Sequence, residues 1–266
     1  MIIILVFILI FSMKNQTIKS INKYEKKIKK NIPFNMKNNL ESTINKAILN
    51  NKKIIEKSKK NNLFEEIFQY IPIKANEFID IFNLRYISFE KRGYNKLINN
   101  EKNNFYLNYD DYDENSIILK YSRKNIITAT TRAIIDGKNG IYSEFNFDNK
   151  IGFREIRNKN NINNNKIAEI SRSSILPEFQ GSGIEFKNLF KTIYYVGKIL
   201  NVGDYITAIA KEDYKLYEKA GFKILKEDFG YSKIEKEVLY LSWEINNPNK
   251  FFKKIFLNDS NNQKKY

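Results

Sequence analysis

The chain has no cysteine and no histidine in 266 residues. That excludes a disulfide framework, a thiol nucleophile, an imidazole base and the usual zinc sites. Proton transfer is left to carboxylates, tyrosines, water or the substrate itself. Proline is scarce (4 residues), as is glycine (10), so each one punctuates the chain. Arginine is also rare. Seven arginines stand against 39 lysines, and all seven (Arg85, Arg92, Arg123, Arg132, Arg154, Arg157, Arg172) fall between positions 85 and 172. The abundance of Lys, Asn and Ile suggests an AT-rich coding sequence that drives cations toward lysine. Arginine kept against such a bias points to planar, bidentate contacts. Arg123, Arg154 and Arg157 read as surface arginines.

The formal charge is +16, yet its distribution argues against a nucleic-acid binder. Residues 13–70 carry a net +9 and residues 246–266 a net +4, while the body from 71 to 245 carries only +3. No nucleic-acid module is visible, and the aromatic residues recur at core spacing. Basic flanks suit an acidic carrier protein or an anionic membrane surface; a solvated Lys/Asn-rich arm is the plainer alternative. The first residues, Met1–Phe11, are apolar. With Ser12 and Met13 they span only about 20 Å as a helix, against ~30 Å for a bilayer core. They have no charged leading region and no small-residue cleavage site, so a cleaved signal is not expected. Residues 1–13 are read as a short anchor or as a mis-assigned start with Met13 the first residue. The expected location is cytoplasmic, peripheral or N-terminally anchored at the inner face of the membrane.

Residues 14–39 are expected to be poorly ordered, and Leu40–Ile55 to form an amphipathic helix with Leu40, Ile44, Ala47, Ile48 and Ile55 on one side. Leu63–Tyr70 reads as a short helix halted near Pro72. A helix over Asn76–Gly93 carries Phe78, Ile79, Phe82, Tyr86 and Phe89. Strands are expected at Ser116–Tyr121 and Asn125–Ile135, and Asn158–Asn165 reads as a low-complexity loop, with drift in an AT-rich gene the plainer reading and a gate over a site the other. The parse is an arm (14–73), a body (74–247) and a basic tail (248–266).

The most informative stretch runs from Ile167 to Leu200. A strand, Ile167–Ile175, meets Pro177, which stops it; Gln180-Gly181-Ser182-Gly183 follows; then Ile184–Leu200 carries apolar residues at helical spacing. A Gly-rich turn at a helix start presents backbone N–H groups at the positive end of the helix dipole, where a phosphate can sit. Alone, the stretch is equally a plain loop with two glycines. Beyond it come a strand (Val202–Ala210), a helix (Lys211–Ala220) stopped by Gly221, a strand near Lys223–Lys226 and a last strand at Val238–Ile245 around Trp243.

This order, with Tyr217-x-x-x-Gly221-Phe222, resembles the GNAT acyltransferase superfamily. The resemblance implies an α/β (α+β) fold: a mixed, mostly antiparallel sheet flanked by helices, with a helical or disordered N-terminal arm. It further implies that Gln180, Gly181, Ser182 and Gly183 bind the donor's phosphopantetheine between splayed strands. The loop departs from the superfamily pattern at Glu185, where a small residue is expected. A carboxylate beside a pyrophosphate argues against ordinary coenzyme A use.

A second series, Arg85…Phe89…Asp110-x-x-Asp113…Arg132…Glu169-x-x-Arg172, is similar to the autoinducer (acyl-homoserine-lactone) synthases and the long-chain N-acyl amino acid synthases. The resemblance covers roughly residues 76–245. The homoserine-lactone branch usually has a tryptophan soon after the phenylalanine; Gly93-Tyr94 stands here, which favours the N-acyl amino acid branch. The implied enzyme is an N-acyltransferase moving a long-chain acyl group from a phosphopantetheine thioester to an amino acid-type amine. Acyl carrier protein is the expected donor and partner, acyl-CoA the alternative, with no tightly bound cofactor and no metal. Glu169 would be the base or hold the ammonium, with Arg172 and Ser174 beside it. Arg85, Phe89, Asp110, Asp113 and Arg132 would bind the acceptor. Two other readings remain: an acetyl-CoA enzyme acting on a small amine, and a non-catalytic carrier- or membrane-binding module of the same fold.

Glu169 and Arg172 are three residues apart, so a regular strand would turn them to opposite faces. A shared role requires a β-bulge within 167–175.

Overall fold

The structure, a computed structural model, describes residues 34–94, 106–136, 153–231 and 236–257. The N-terminal apolar segment, the Lys-rich stretch up to residue 33 and the end of the basic tail lie outside the described residues. Among those described, no helix is long and apolar enough to cross a membrane.

Six strands form one sheet: β1 (Ser116–Arg123), β2 (Ile126–Ile135), β3 (Lys166–Ile175), β4 (Val202–Ala210), β5 (Lys223–Tyr231) and β6 (Lys236–Glu244). Their order is β1-β2-β3-β4-β6-β5. Every neighbouring pair is antiparallel except β3 with β4, which are parallel and joined by a crossover helix. This is the expected GNAT-like mixed sheet. Among the described residues, the α-helices of four residues or more are α1 (Phe34–Lys60), α2 (Phe64–Ile67), α3 (Ala75–Lys91), α4 (Phe153–Ile162), α5 (Ile184–Leu200) and α6 (Tyr214–Ala220).

Strand alternation assigns the two faces. Ile118 packs with Phe78, Ile81 and Phe82 of α3, whereas its neighbours Ile117 and Leu119 join Leu189, Phe190 and Ile193 of α5. Helix α3 therefore covers one face and α5 the other, with α6 beside α5 through Tyr217 and Ala220. Fully buried Trp243 lies within 6.4 Å of the rings of Phe190, Tyr194, Tyr205, Phe222 and Phe252. Phe252 and Phe256 bring residues 250–257 back onto this cluster.

Glycine fixes the end of α3. Gly93 has φ +72°, its N–H bonds to Glu90 O (3.0 Å) and that of Tyr94 to Phe89 O (2.9 Å), the reciprocal pattern that closes a helix through a left-handed residue. At the other end the Glu77 carboxylate accepts from the N–H groups of Ile73 and Lys74 at 2.9 and 3.0 Å.

Three expectations are corrected. Residues 34–39 belong to α1, whose Leu40, Ile44, Ala47, Ile54 and Ile55 are buried against the domain. The Asn-rich stretch at 158–165 is mostly the end of α4. Asn160 is buried there, donating to Ile156 O and to Asp204 Oδ2, both at 2.8 Å, so the stretch is anchored to β4 and does not form a gate. The strand expected at 223–226 runs to Tyr231.

Candidate active site

The parallel pair β3/β4 makes the opening. The strands pair from Lys166/Val202 to Glu169/Ile206 and no further, so 170–175 and 207–210 have no ladder between them. Backbone groups there face each other across a gap, which a β-strand tolerates only where something else takes their hydrogen bonds.

At the start of that gap β3 carries the bulge that a shared Glu169–Arg172 role requires. Thr130 pairs with Ser174 and Arg132 with Ser171, so Arg172 and Ser173 together oppose Thr131. Arg172 has φ +55°, in the left-handed region a non-glycine residue rarely adopts. The consequence is a change of face. Ile118, Arg132 and Ser171 are paired across the sheet and share α3's face, as does Glu169 two residues before Ser171. Regular alternation would send Arg172 to the α5 face. The bulge turns it back, and its guanidinium reaches Asp110 and lies 5.5 Å from the Phe89 ring.

Five charged residues meet on the α3 face. Arg132 Nη1 and Nη2 reach the two oxygens of Asp110 at 2.5 and 3.0 Å, and Nη1 also lies 3.0 Å from Asp113 Oδ1. Arg172 places Nη2 and Nε on Asp110 Oδ2 at 2.8 and 3.2 Å. Arg85 Nη1 pairs with Asp113 Oδ1 at 2.8 Å, and Arg132 Nε donates to Ser171 Oγ at 2.9 Å. The Asp-x-x-Asp spacing has a local cause: Asp110 caps a 3-10 turn (Asp111–Asn115) by accepting from Tyr112 N, while Asp113 Oδ2 accepts from Asp110 N. Both carboxylates are thereby held by their own turn as well as by the arginines.

Burial makes this cluster costly to break. Arg85, Arg132 and Asp113 are fully buried, and Asp110 and Arg172 nearly so. Burial alone would raise the Asp110 pKa, but the Arg132 and Arg172 charges outweigh it and hold the carboxyl well below its ordinary range. The same carboxylates raise Arg132 despite its burial, whereas burial dominates at Arg85 and lowers it. With all five ionised, three cations face two anions, a net +1. Glu169, buried on the same face, is the next acidic residue along β3. The forks of Arg132 and Arg172 are thus both turned on Asp110. Ser174 is buried, and its hydroxyl donates to Arg172 O at 3.3 Å, across the bulge.

The opposite side of the gap holds a hydroxyl chain that pattern reading assigned no role. Ser173 Oγ lies 2.8 Å from Thr131 Oγ1, and Ser173 is close enough to the Tyr217 phenol of α6 to act on its titration. Burial pushes the Tyr217 pKa up to about 12, so the phenol keeps its proton at neutral pH. Only the Tyr-x-x-x-Gly-Phe helix end hinted at it in the sequence.

The Gly loop opens on that side too. Gly181 (φ +86°) and Gly183 (φ +70°) are left-handed, and Gly183 is the N-cap of α5. Gln180 Nε2 donates to Ile175 O at 3.1 Å. Glu185 behaves differently from the expectation drawn from its charge. Its side chain is fully buried, accepts from Ser182 Oγ at 2.6 Å and lies 2.6 Å from Arg123 Nε. Arg123, read from sequence as a leftover surface arginine, supplies the counter-charge and also donates to Ser182 Oγ at 3.0 Å. The carboxylate is turned inward beside a counter-charge, which offsets its repulsion of a phosphate at the helix start.

Comparison with known proteins bears on the family and the fold. A sequence model of the N-acyl amino acid synthase FeeM family matches residues 80–244, well over half of the chain. No curated protein matches the chain. Among solved structures, FeeM, an N-acyl amino acid synthase from uncultured soil microbes, superposes with a TM-score of 0.50 at 11% identity, over 70% of this chain and 93% of that one. BjaI, a CoA-dependent acyl-homoserine lactone synthase, gives 0.49 at 13% identity over 66% and 79%. The acyl-homoserine lactone synthase LasI gives 0.48 at 15% over 69% and 89%. At such identities the likeness to solved structures is one of fold, and the family match carries the rest: this chain belongs to the FeeM family of N-acyl amino acid synthases and is an N-acyltransferase.

Proposed function

We propose that the protein acylates an amino acid-type amine with a long-chain acyl group delivered as a phosphopantetheine thioester through the β3/β4 gap. The observation that carries this reading is the two-sided gap. Hydroxyls and the Gly loop line the α5 side, and a buried charged cluster lines the α3 side. The thioester arm enters past Gln180, Gly181, Ser182 and Gly183, and the amine approaches from Arg85, Phe89, Asp110, Asp113 and Arg132. The amine nitrogen attacks the thioester carbon, an N–C bond forms and the C–S bond breaks. Glu169 takes the amine's proton, directly or through water, and the phenol of Tyr217 returns one to the leaving sulfur. Backbone N–H groups of β3 after Arg172, which have no β4 partner, stabilise the oxyanion. The acyl group is already activated, so positioning and one modest base suffice without histidine.

For the donor we favour acyl carrier protein. Lys187 and Lys198 lie on the helix that follows the Gly loop (Lys191 between them is paired with Glu66 at 2.9 Å), and the flanks of the chain are basic, which suits an acidic carrier or an anionic surface. Acyl-CoA remains the second reading, favoured by the inward, Arg123-paired Glu185. Mass spectrometry of lipids from cells expressing the chain, compared with Glu169→Gln, tests the proposal. An N-acylated amino compound is expected that the variant loses. Equal amounts from both would remove Glu169 from the chemistry, and none from the wild type would remove the activity.

A further inference from the structure

Where β3 and β4 part, no ladder fixes their separation. On the α5 face the packing of α5 and α6 supports both strands. On the α3 face a different connection crosses the gap. From the bulge, Arg172 lies 5.5 Å from the Phe89 ring; Phe89 meets Tyr94 edge-on at 5.9 Å between ring centroids. Arg92 lies 5.0 Å from the Tyr94 ring, and its Nη2 reaches Glu212 Oε1 and Asp213 Oδ2, each at 2.9 Å. Glu212 and Asp213 sit in the 3-10 turn between β4 and α6, directly after the parted end of β4. The sequence has arranged this deliberately at one point. Closure of α3 by Gly93 sets Arg92 at the helix end and turns Tyr94 back under Phe89.

We propose that Arg92 is a positioning residue for the acyl thioester: it ties the end of β4 to α3 and, through Tyr94, Phe89 and Arg172, to the bulge of β3, and so sets the width of the gap. The inference rests on the acyl-transfer reading above and adds to it what holds the two strand ends at a fixed spacing. A bare surface ion pair between α3 and this turn would leave the thioester indifferent to its loss. A tether that sets the gap would not.

The chemistry of the contact predicts which variants keep it. One nitrogen of Arg92 makes both ion pairs, so Arg92→Lys can retain them, while Arg92→Met keeps the stem and loses both. The experiment uses the full chain with butyryl, octanoyl and palmitoyl thioesters of both carrier protein and coenzyme A, and follows backbone hydrogen exchange over 207–214. For Arg92→Met the thioester KM is expected to rise about fivefold or more while kcat stays within about twofold. The ratio of kcat/KM between best and worst chain lengths falls, and exchange at 207–214 quickens about tenfold. Asp213→Asn reproduces the change, and Arg92→Lys restores most of it. Unaltered KM and exchange in Arg92→Met would overturn the proposal, as would a fall in kcat at constant KM. If the wild type yields no acylated amine from any thioester, the acyl-transfer reading fails. The exchange arm then decides the tether alone: unchanged protection refutes it and faster exchange upholds it.

Discussion

Replacing Asp110 by asparagine tests whether the charged cluster is the network its geometry describes. The shape is kept and the charge removed. Asp110 is the carboxylate on which both Arg132 and Arg172 converge, so the five-residue cluster goes from a net +1 to +2 inside a buried site. Breaking a buried pair by removing one partner costs about 3–5 kcal/mol, most of it from the charge left uncompensated. Against a total stability of about 5–15 kcal/mol, the variant should fold with little margin. With a urea m-value of about 2–3 kcal/mol per molar for a chain of this size, the unfolding midpoint should fall by about 1–2.5 M at pH 7. The pH dependence gives an independent sign. Asp110 is held below its unfolded value, so its stabilisation is complete above the ordinary aspartate range near pH 4 and is lost as pH falls through the folded value. The difference between wild type and Asp110→Asn should therefore shrink as the pH is taken from neutrality to below about 4. Adding Arg172→Met removes one of the surplus cations, and the double variant should be more stable than the sum of the two single losses predicts. A midpoint shift under about 0.3 M, or strict additivity, would refute the network.

Three further outcomes are expected. Arg172→Lys should lower activity at least about tenfold with the fold intact, because lysine keeps the charge but not the Nε/Nη2 fork on Asp110; near-normal turnover would make the residue a point charge only. Acyl carrier protein should be preferred over palmitoyl-CoA at low salt, with the preference fading as the screening length falls below about 8–10 Å; equal use of both donors, or a carrier rate indifferent to salt, returns the chain to the coenzyme A users. Gly197→Ala should lower the thermal midpoint, because a Cβ there would stand 2.6 Å from Ile245 Cδ1 and 2.9 Å from Tyr205 Cε2. Overpacking of about 1–3 kcal/mol exceeds the gain of about 1 kcal/mol from helix propensity, and a raised midpoint would contradict that balance.

The sequence alone determined the elements whose ends are chemically marked. Pro177 and Gly183 delimit β3 and α5, Gly93 and Gly221 close α3 and α6, and apolar periodicity assigns their buried faces, because these signals act within a few residues. The Asn-rich run misled for the same reason. Its composition is that of a loop, and only the buried contact of Asn160 with Asp204, 44 residues away, makes it the end of a helix. The order of charged residues pointed to the family, but not to who pairs with whom. That Arg132 and Arg172 both close on Asp110, that Arg123 pairs with Glu185, and that Tyr217 lies near Ser173 are decisions of strand register and helix packing. The bulge shows the division most sharply. The spacing of Glu169 and Arg172 demanded an irregularity, yet only the pairing of β3 with β2 placed it opposite Thr131. Only the sheet, paired on one edge of β3 and parted on the other, turned one strand into the wall of a cleft.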